Sequence, residues 1–151
     1  MKNVHFYKVE GKDYIPNRRM SISQGEQKII SILRAENISF VREKSFEEAV
    51  RVANCRFDFY LPEKNILFEY QGPQHYEFIS FFFKKRSDFT KAQERDRLKA
   101  SAALAMGIPL YCIPYWESDN IKNFGDLINP KFLVHSKFHN DETWRAHQNC
   151  R

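Results

Sequence analysis

Asp58 and Glu69 flank Pro62-Glu63-Lys64-Asn65, a run whose residue types suit a tight turn, and the arms on either side are rich in aromatic and branched residues. This pattern predicts an antiparallel strand pair. If those four residues form the loop, Leu61 pairs with Ile66, the numbers in each cross-strand pair share one sum, and Asp58 falls opposite Glu69. Strand side chains alternate, so Gln71 joins Glu69 on its face, while Phe57, Phe59, Leu61, Phe68 and Tyr70 take the other side or the flanks. Like charges opposed at about 5 Å between Cβ atoms destabilise a hairpin unless a positive group lies between them. A divalent cation is the simplest such group. An acidic pair with a third carboxylate nearby offers magnesium the oxygen ligands it takes, the rest of its octahedron being water. A metal held this way lowers the pKa of a bound water and stabilises charge building on a transferring phosphate.

Other elements must bring further residues to this pair. Ser23-Gln24-Gly25-Glu26 is a capping-box pattern ahead of an apolar-periodic run, which predicts a helix over 24–36 with Ile29, Ile30 and Leu33 facing inward. Glu26 lies on that same face near the helix start, so it either closes the capping box or supplies the third acid, and the two roles can coexist. Residues 38–42 read as a first strand and 46–54 as an irregular or partly helical connection to the hairpin. After Gly72, a loop over 73–83 carries Gln74, His75 and the aromatics Phe81 to Phe83. Those aromatics next to Lys84-Lys85-Arg86 suit base stacking and phosphate contact, or equally a hydrophobic plug under the next helix.

A second helix is predicted over 88–106, stopped by Gly107 and Pro109. One of its faces reads Phe89, Ala92, Asp96, Lys99, Ala100, Ala103, so two charges interrupt a small-residue stripe, where they are costly unless paired or functional. The bland alternative for Asp96 and Lys99 is an i,i+3 ion pair within the helix. From Lys84 to Lys99, seven basic residues stand against three acidic ones, which makes Lys84, Lys85, Arg86, Lys91 and Arg95 the candidate phosphate-facing set. Residues 109–113 are almost wholly apolar, as expected of a strand buried on both faces, and a further helix is predicted over 119–128.

Length and composition bound the whole. The 151 residues suit one domain with appendages, and 42% apolar content with 14 phenylalanines argues for a packed globule. The expected division is an appendage over 1–20, with a short hairpin around Glu10 to Asp13, a core over 21–130, and a basic, histidine-containing tail over 131–151. No run approaches the ~20 apolar residues of a membrane helix. The first residues lack the apolar stretch of a signal peptide, and Cys55, Cys112 and Cys150 form no CxxC pair, which predicts a soluble protein in the reducing cytoplasm. A net charge of +5 suits a polyanionic partner. In the tail, His135 and His139 at i,i+4 spacing, with His147 and Cys150, are zinc-type ligands. Without a CxxC they are better read as part of a basic, partly ordered tail.

The segments SQGEQKI, RFDFYLPEKNILFEYQGPQHY and QERDRLKASAALAMGIPLYCIPYW, in that order, resemble the PD-(D/E)XK nuclease superfamily. The similarity is to small phage and homing-type endonucleases whose core is like that of the very short patch repair endonuclease, and it spans about residues 21–117. It implies an α/β, restriction-endonuclease-like core: a small mixed β-sheet flanked by helices in αβββαβ order. It implies that Asp58 and Glu69 bind the metal and that Glu26 is the helix-borne acid, with Gln71 at the position of the family's lysine. That glutamine is a departure, since it carries no charge. Some restriction enzymes of the superfamily use E-x-Q, and Lys99 offers a replacement cation from the neighbouring helix. Gln74 and His75 match the Gln-His pair that follows the motif in similar phage proteins; His75 could exchange a proton with the substrate, contact the scissile phosphate, or serve as a structural hydrogen-bonding residue.

The expectation is thus a magnesium- or manganese-dependent DNA endonuclease, cytoplasmic and plausibly phage-encoded in a bacterial host. It would act on double-stranded DNA as a monomer that nicks or a homodimer that cuts both strands. Its catalytic set is Glu26, Asp58, Glu69, Gln71, His75 and Lys99, with Gln74 and Asp96 in support. The alternative is a nuclease-fold protein that has lost cleavage and serves as a nucleic-acid-binding or phage-structural module.

Overall fold

The computed structural model describes residues 22–47, 55–77, 79 and 82–141. The predicted N-terminal appendage and its hairpin, most of the 46–54 connection, Phe81, His147 and Cys150 fall outside the described residues.

Helix α1 spans Gln24–Ala35 and begins where its capping box dictates: the Glu26 amide donates to Ser23 Oγ at 3.2 Å, and the Ser23 amide donates to Glu26 Oε2 at 3.0 Å. It ends in a turn that delays the first strand. The Asn37 and Ile38 amides donate back to Arg34 and Leu33, with Asn37 at a left-handed φ of 55°, so β1 occupies Val41–Lys44 rather than 38–42.

The hairpin follows the turn arithmetic. Strands β2 (Phe57–Leu61) and β3 (Ile66–Gln71) pair as Leu61/Ile66, Tyr60/Leu67 and Phe59/Phe68 around a four-residue turn. Helix α2, Arg86–Met106, starts two residues before the predicted boundary and stops at Gly107, whose φ of 68° is the left-handed cap that glycine takes without a Cβ penalty. The chain then enters β4, Leu110–Pro114, parallel to β3 and in register with Glu69 opposite Cys112. The sheet is four-stranded and mixed, in the order β1-β2-β3-β4, with only the last pair parallel. Parallel pairing demands a crossover, and α2 is that crossover.

The core divides into two clusters, one with each long helix. Ile29, Ile30 and Leu33 of α1 pack with Phe59, Leu61, Phe68 and Ile113, whereas Ala100, Ala102 and Ala103 of α2 pack with Phe57, Leu67, Leu110 and Cys112. Each helix thereby covers one face of a mixed sheet, in an α/β layered arrangement. Burying this apolar surface is the main stabilising term of the fold.

Beyond β4 the predicted 119–128 helix is replaced by a 3-10 turn over Tyr115–Asn120 and a short helix α3, Phe124–Leu127. Asn123 breaks the run: it caps α3 through its own side chain, which accepts from the Asp126 amide at 3.0 Å, so the chain must leave helix before it can re-enter. In the tail, residues 136–138 form a bend and turn, so His135 and His139 do not share a helical face; His135 is exposed and His139 buried, their rings edge to face at 5.9 Å. Among the described residues no helix is long and apolar enough to cross a membrane.

Candidate active site

The start of β2 and the end of β3 open into a cleft of about 600 Å3 lined by Glu26, Asp58, Glu69, Gln74, His75 and Lys99, among others. Several constraints bring them there. At Gly25 of α1, any Cβ would lie 2.0 Å from the Tyr70 ring, so glycine is what lets the helix start press against β3 and carry Glu26 into the cleft. Past the Phe59/Phe68 pair, Asp58 uses its side chain in place of its backbone: Oδ2 accepts from the Tyr70 amide at 2.9 Å. The carboxyl therefore points at β3, beside that of Glu69, and two buried carboxyls so placed resist ionising together.

Lys99 reaches over from α2 and donates to Glu69 Oε1 at 3.0 Å. It does not pair with Asp96 along the helix. Asp96 Oδ2 instead sits 2.7 Å from His75 Nδ1, which fixes the ring of His75 and leaves Nε2 as the atom able to exchange a proton with a ligand. The two charges that interrupt the α2 stripe are each matched by a different residue of the cleft wall.

The electrostatics follow from burial. Burial, together with the neighbouring Glu69 charge, pushes the Asp58 carboxyl up to about 8, against the pull of Lys99. Burial raises Glu69 as well, with Lys99 opposing. For Lys99 burial works downward, but the charges of Glu69, Asp58 and Asp96 outweigh it and hold the ammonium above its ordinary value. Glu26 is raised by burial and by the Asp58 charge, partly countered by Arg42. The cleft floor is therefore short of positive charge: one lysine serves two carboxylates that resist ionising together.

Glu26 closes the predicted capping box and also lines the cleft. One oxygen closes the capping box, and the other accepts from Arg42 at 2.7 Å. Arg42 was not among the predicted site residues. It is 2% exposed, donates through Nε to the Asp58 carbonyl at 3.2 Å, and lies over the Phe59 ring at 4.7 Å. It stands among the charged residues of Val41–Lys44, where it is as easily read as an edge charge.

Gln71 is not brought into the cleft lining. Its Nε2 donates to Asn140 Oδ1 at 2.8 Å and its Oε1 accepts from the Tyr76 hydroxyl, so both ends of the amide are held in the interior. The predicted basic set, Lys84, Lys85, Arg86, Lys91 and Arg95, is exposed along the first half of α2 and the turn before it. The plug reading of the 81–83 aromatics fits Phe83, whose ring lies 5.6 Å from Phe89, but not Phe82, which is 53% exposed on the cleft rim.

Among the described residues, no group of three or more His, Cys, Asp or Glu side chains stands close enough to hold a metal ion. Asp58 and Glu69 present two neighbouring carboxyls on the cleft lining. Such a pair fits a hard cation that keeps several waters and takes further oxygens from a phosphate ligand.

No protein-family model matches this chain, and no solved structure matches it. It is 43% identical over 63 residues to "Uncharacterized protein 094L" of Frog virus 3 (isolate Goorha), a match covering 41% of each chain. It is 36% identical over 66 residues to "Uncharacterized protein 307L" of Invertebrate iridescent virus 6, covering 44% of this chain and 34% of that protein. The matched part is thus less than half the length of either viral relative.

Proposed function

We propose that this chain is a metal-dependent DNA endonuclease with a restriction-endonuclease-like core. The observation that carries the reading is the meeting of Asp58, Glu69 and Lys99 on the floor of an open cleft, with a 3.0 Å bond between Lys99 and Glu69. The α1-β1-β2-β3-α2-β4 order and the exposed basic run on α2 support it.

Asp58 and Glu69 would hold the metal, and magnesium or manganese there would supply an acidified water and offset charge on the phosphate. Lys99, within 3.0 Å of Glu69, would donate to the attacked phosphate or orient the water. It thus stands in for the lysine that Gln71 replaces. His75, held by Asp96, is the proton donor for the leaving oxygen. Glu26, clamped between Ser23 and Arg42, positions the water on the α1 side. Gln71 acts from behind, since its bonds to Tyr76 and Asn140 hold the turn that carries Gln74 and His75. Lys84, Lys85, Arg86, Lys91 and Arg95 face the phosphates of double-stranded DNA. The two viral relatives support a virus-encoded protein acting inside the infected cell.

Supercoiled plasmid incubated with magnesium or manganese tests this directly. Wild type should nick or linearise it, and Asp58→Ala and Glu69→Ala should not. Binding without cleavage at any metal concentration would refute the enzyme and establish the alternative, a nuclease-fold binding module, which the interior position of the Gln71 amide favours.

A further inference from the structure

A second cavity, of about 450 Å3, adjoins the cleft and shares Gln74, His75, Phe82 and Lys99 with it. Arg56, Arg95 and Phe83 complete the part of its lining that bears on ligand choice. Its charge is matched to an anion. Arg56 and Arg95 carry fixed positive charge, Lys99 is bonded to Glu69 of the neighbouring cleft, and the one carboxylate of the lining, Asp96, is hydrogen-bonded to His75 at 2.7 Å. Its rim is aromatic: Phe82 is 53% exposed. The volume falls in the range of small-ligand pockets, sufficient for one nucleotide but not for a stacked, paired duplex.

We propose that this cavity receives an unpaired nucleotide next to the phosphate under attack, so that the preferred substrate is DNA whose strand leaves its duplex at a flap, bulge or frayed end. This rests on the nuclease reading of the adjoining cleft. A phosphodiester over Asp58, Glu69 and Lys99 has its neighbouring nucleotide at the shared wall of Gln74, His75 and Phe82. There the base stacks on Phe82 and the next phosphate meets Arg95 and Arg56. Bases locked in a duplex cannot make that stack without unpairing, a cost that is smallest where the base is already unpaired. Aromatic platforms beside a positively charged groove are the general device for holding single-stranded nucleic acid.

The test is binding of the full chain, in EDTA so that nothing is cleaved, to two labelled DNA hairpins of equal length, one fully paired and one with a single-nucleotide bulge. Wild type should bind the bulged hairpin at least about fivefold more tightly, and Phe82→Ala should abolish most of that preference, the worth of one base–aromatic stack. Arg95→Ala should weaken binding to the bulged hairpin and reduce the slope of log K against log salt by about one. Both side chains are exposed, so circular dichroism should show an intact fold. Equal affinity for the two hairpins, or a preference that survives both substitutions, would overturn the proposal. Adding magnesium separates the two claims: preference without cleavage keeps the subsite and removes the nuclease, and cleavage without preference does the reverse.

Discussion

Magnesium binding should compete with protons on Asp58, and the size of the effect follows from the site. With the carboxyl pushed to about 8 by burial and by Glu69, the ligand form that magnesium needs is only about half populated at pH 8. That fraction falls to roughly one in ten at pH 7 and one in a hundred at pH 6, so the apparent affinity should drop about fivefold and then about fiftyfold. Glu69, also raised by burial, steepens the dependence. Isothermal titration with magnesium in two buffers of different ionisation enthalpy reads both quantities, and should report close to one proton released per ion at pH 6. Stability runs the other way from the usual carboxylate. A folded-state pKa above the unfolded value means that the native state holds the proton more tightly. The contribution of Asp58 is thus fully present below about pH 4 and lost as the pH rises through about 8. Magnesium should restore stability at the alkaline end, and Asp58→Asn should remove the Asp58 share of the pH dependence together with the metal response. Affinity that stays flat between pH 6 and 8, with no dependence on buffer, would refute the coupling of buried carboxylates to the metal.

Further outcomes are expected from single changes. Lys99→Met leaves Glu69 and Asp58 buried without their cation and should cost about 3–5 kcal/mol in urea unfolding, part of it regained with magnesium. Gly25→Ala drives a methyl into the Tyr70 ring at 2.0 Å; it should lower stability by about 1–3 kcal/mol and, by tilting the α1 start that carries Glu26, reduce plasmid cleavage as well. Replacing Lys84, Lys85 and Arg86 together by alanine should change stability by less than about 0.5 kcal/mol, because all three are exposed. The same replacement should lower the salt dependence of DNA binding by about two to three ions, read by fluorescence anisotropy.

The features legible in the sequence are those governed by few, adjacent residues. Ser23 and Glu26 settle where α1 begins because a capping box closes over one turn, and Gly107 settles where α2 ends because a left-handed residue is needed there. The approach of Asp58 to Glu69 follows from a four-residue turn and a side-chain period of two, since register propagates from the loop. Where local signals competed, the reading failed. Residues 38–42 suggested a strand from residue 38, but the helix terminus had first use of the backbone amides there; Asn123 likewise starts a new helix inside the stretch predicted as one.

What the tertiary structure alone decided is the partner of each charged or polar side chain. Asp96 lies one helical turn from Lys99, yet binds His75, because the packing of α2 on the sheet turns the two charges toward different neighbours. Arg42 joins the site from a strand whose register against β2 depends on residues far along the chain, and no local pattern marks it. Gln71 occupies a motif position that suggested chemistry, but Asn140, 69 residues away, holds its amide in the interior. Backbone geometry is set by short-range sterics and hydrogen bonds that a sequence displays directly. The pairing of buried polar groups is set by which layers come together, and that is fixed only when the whole core packs.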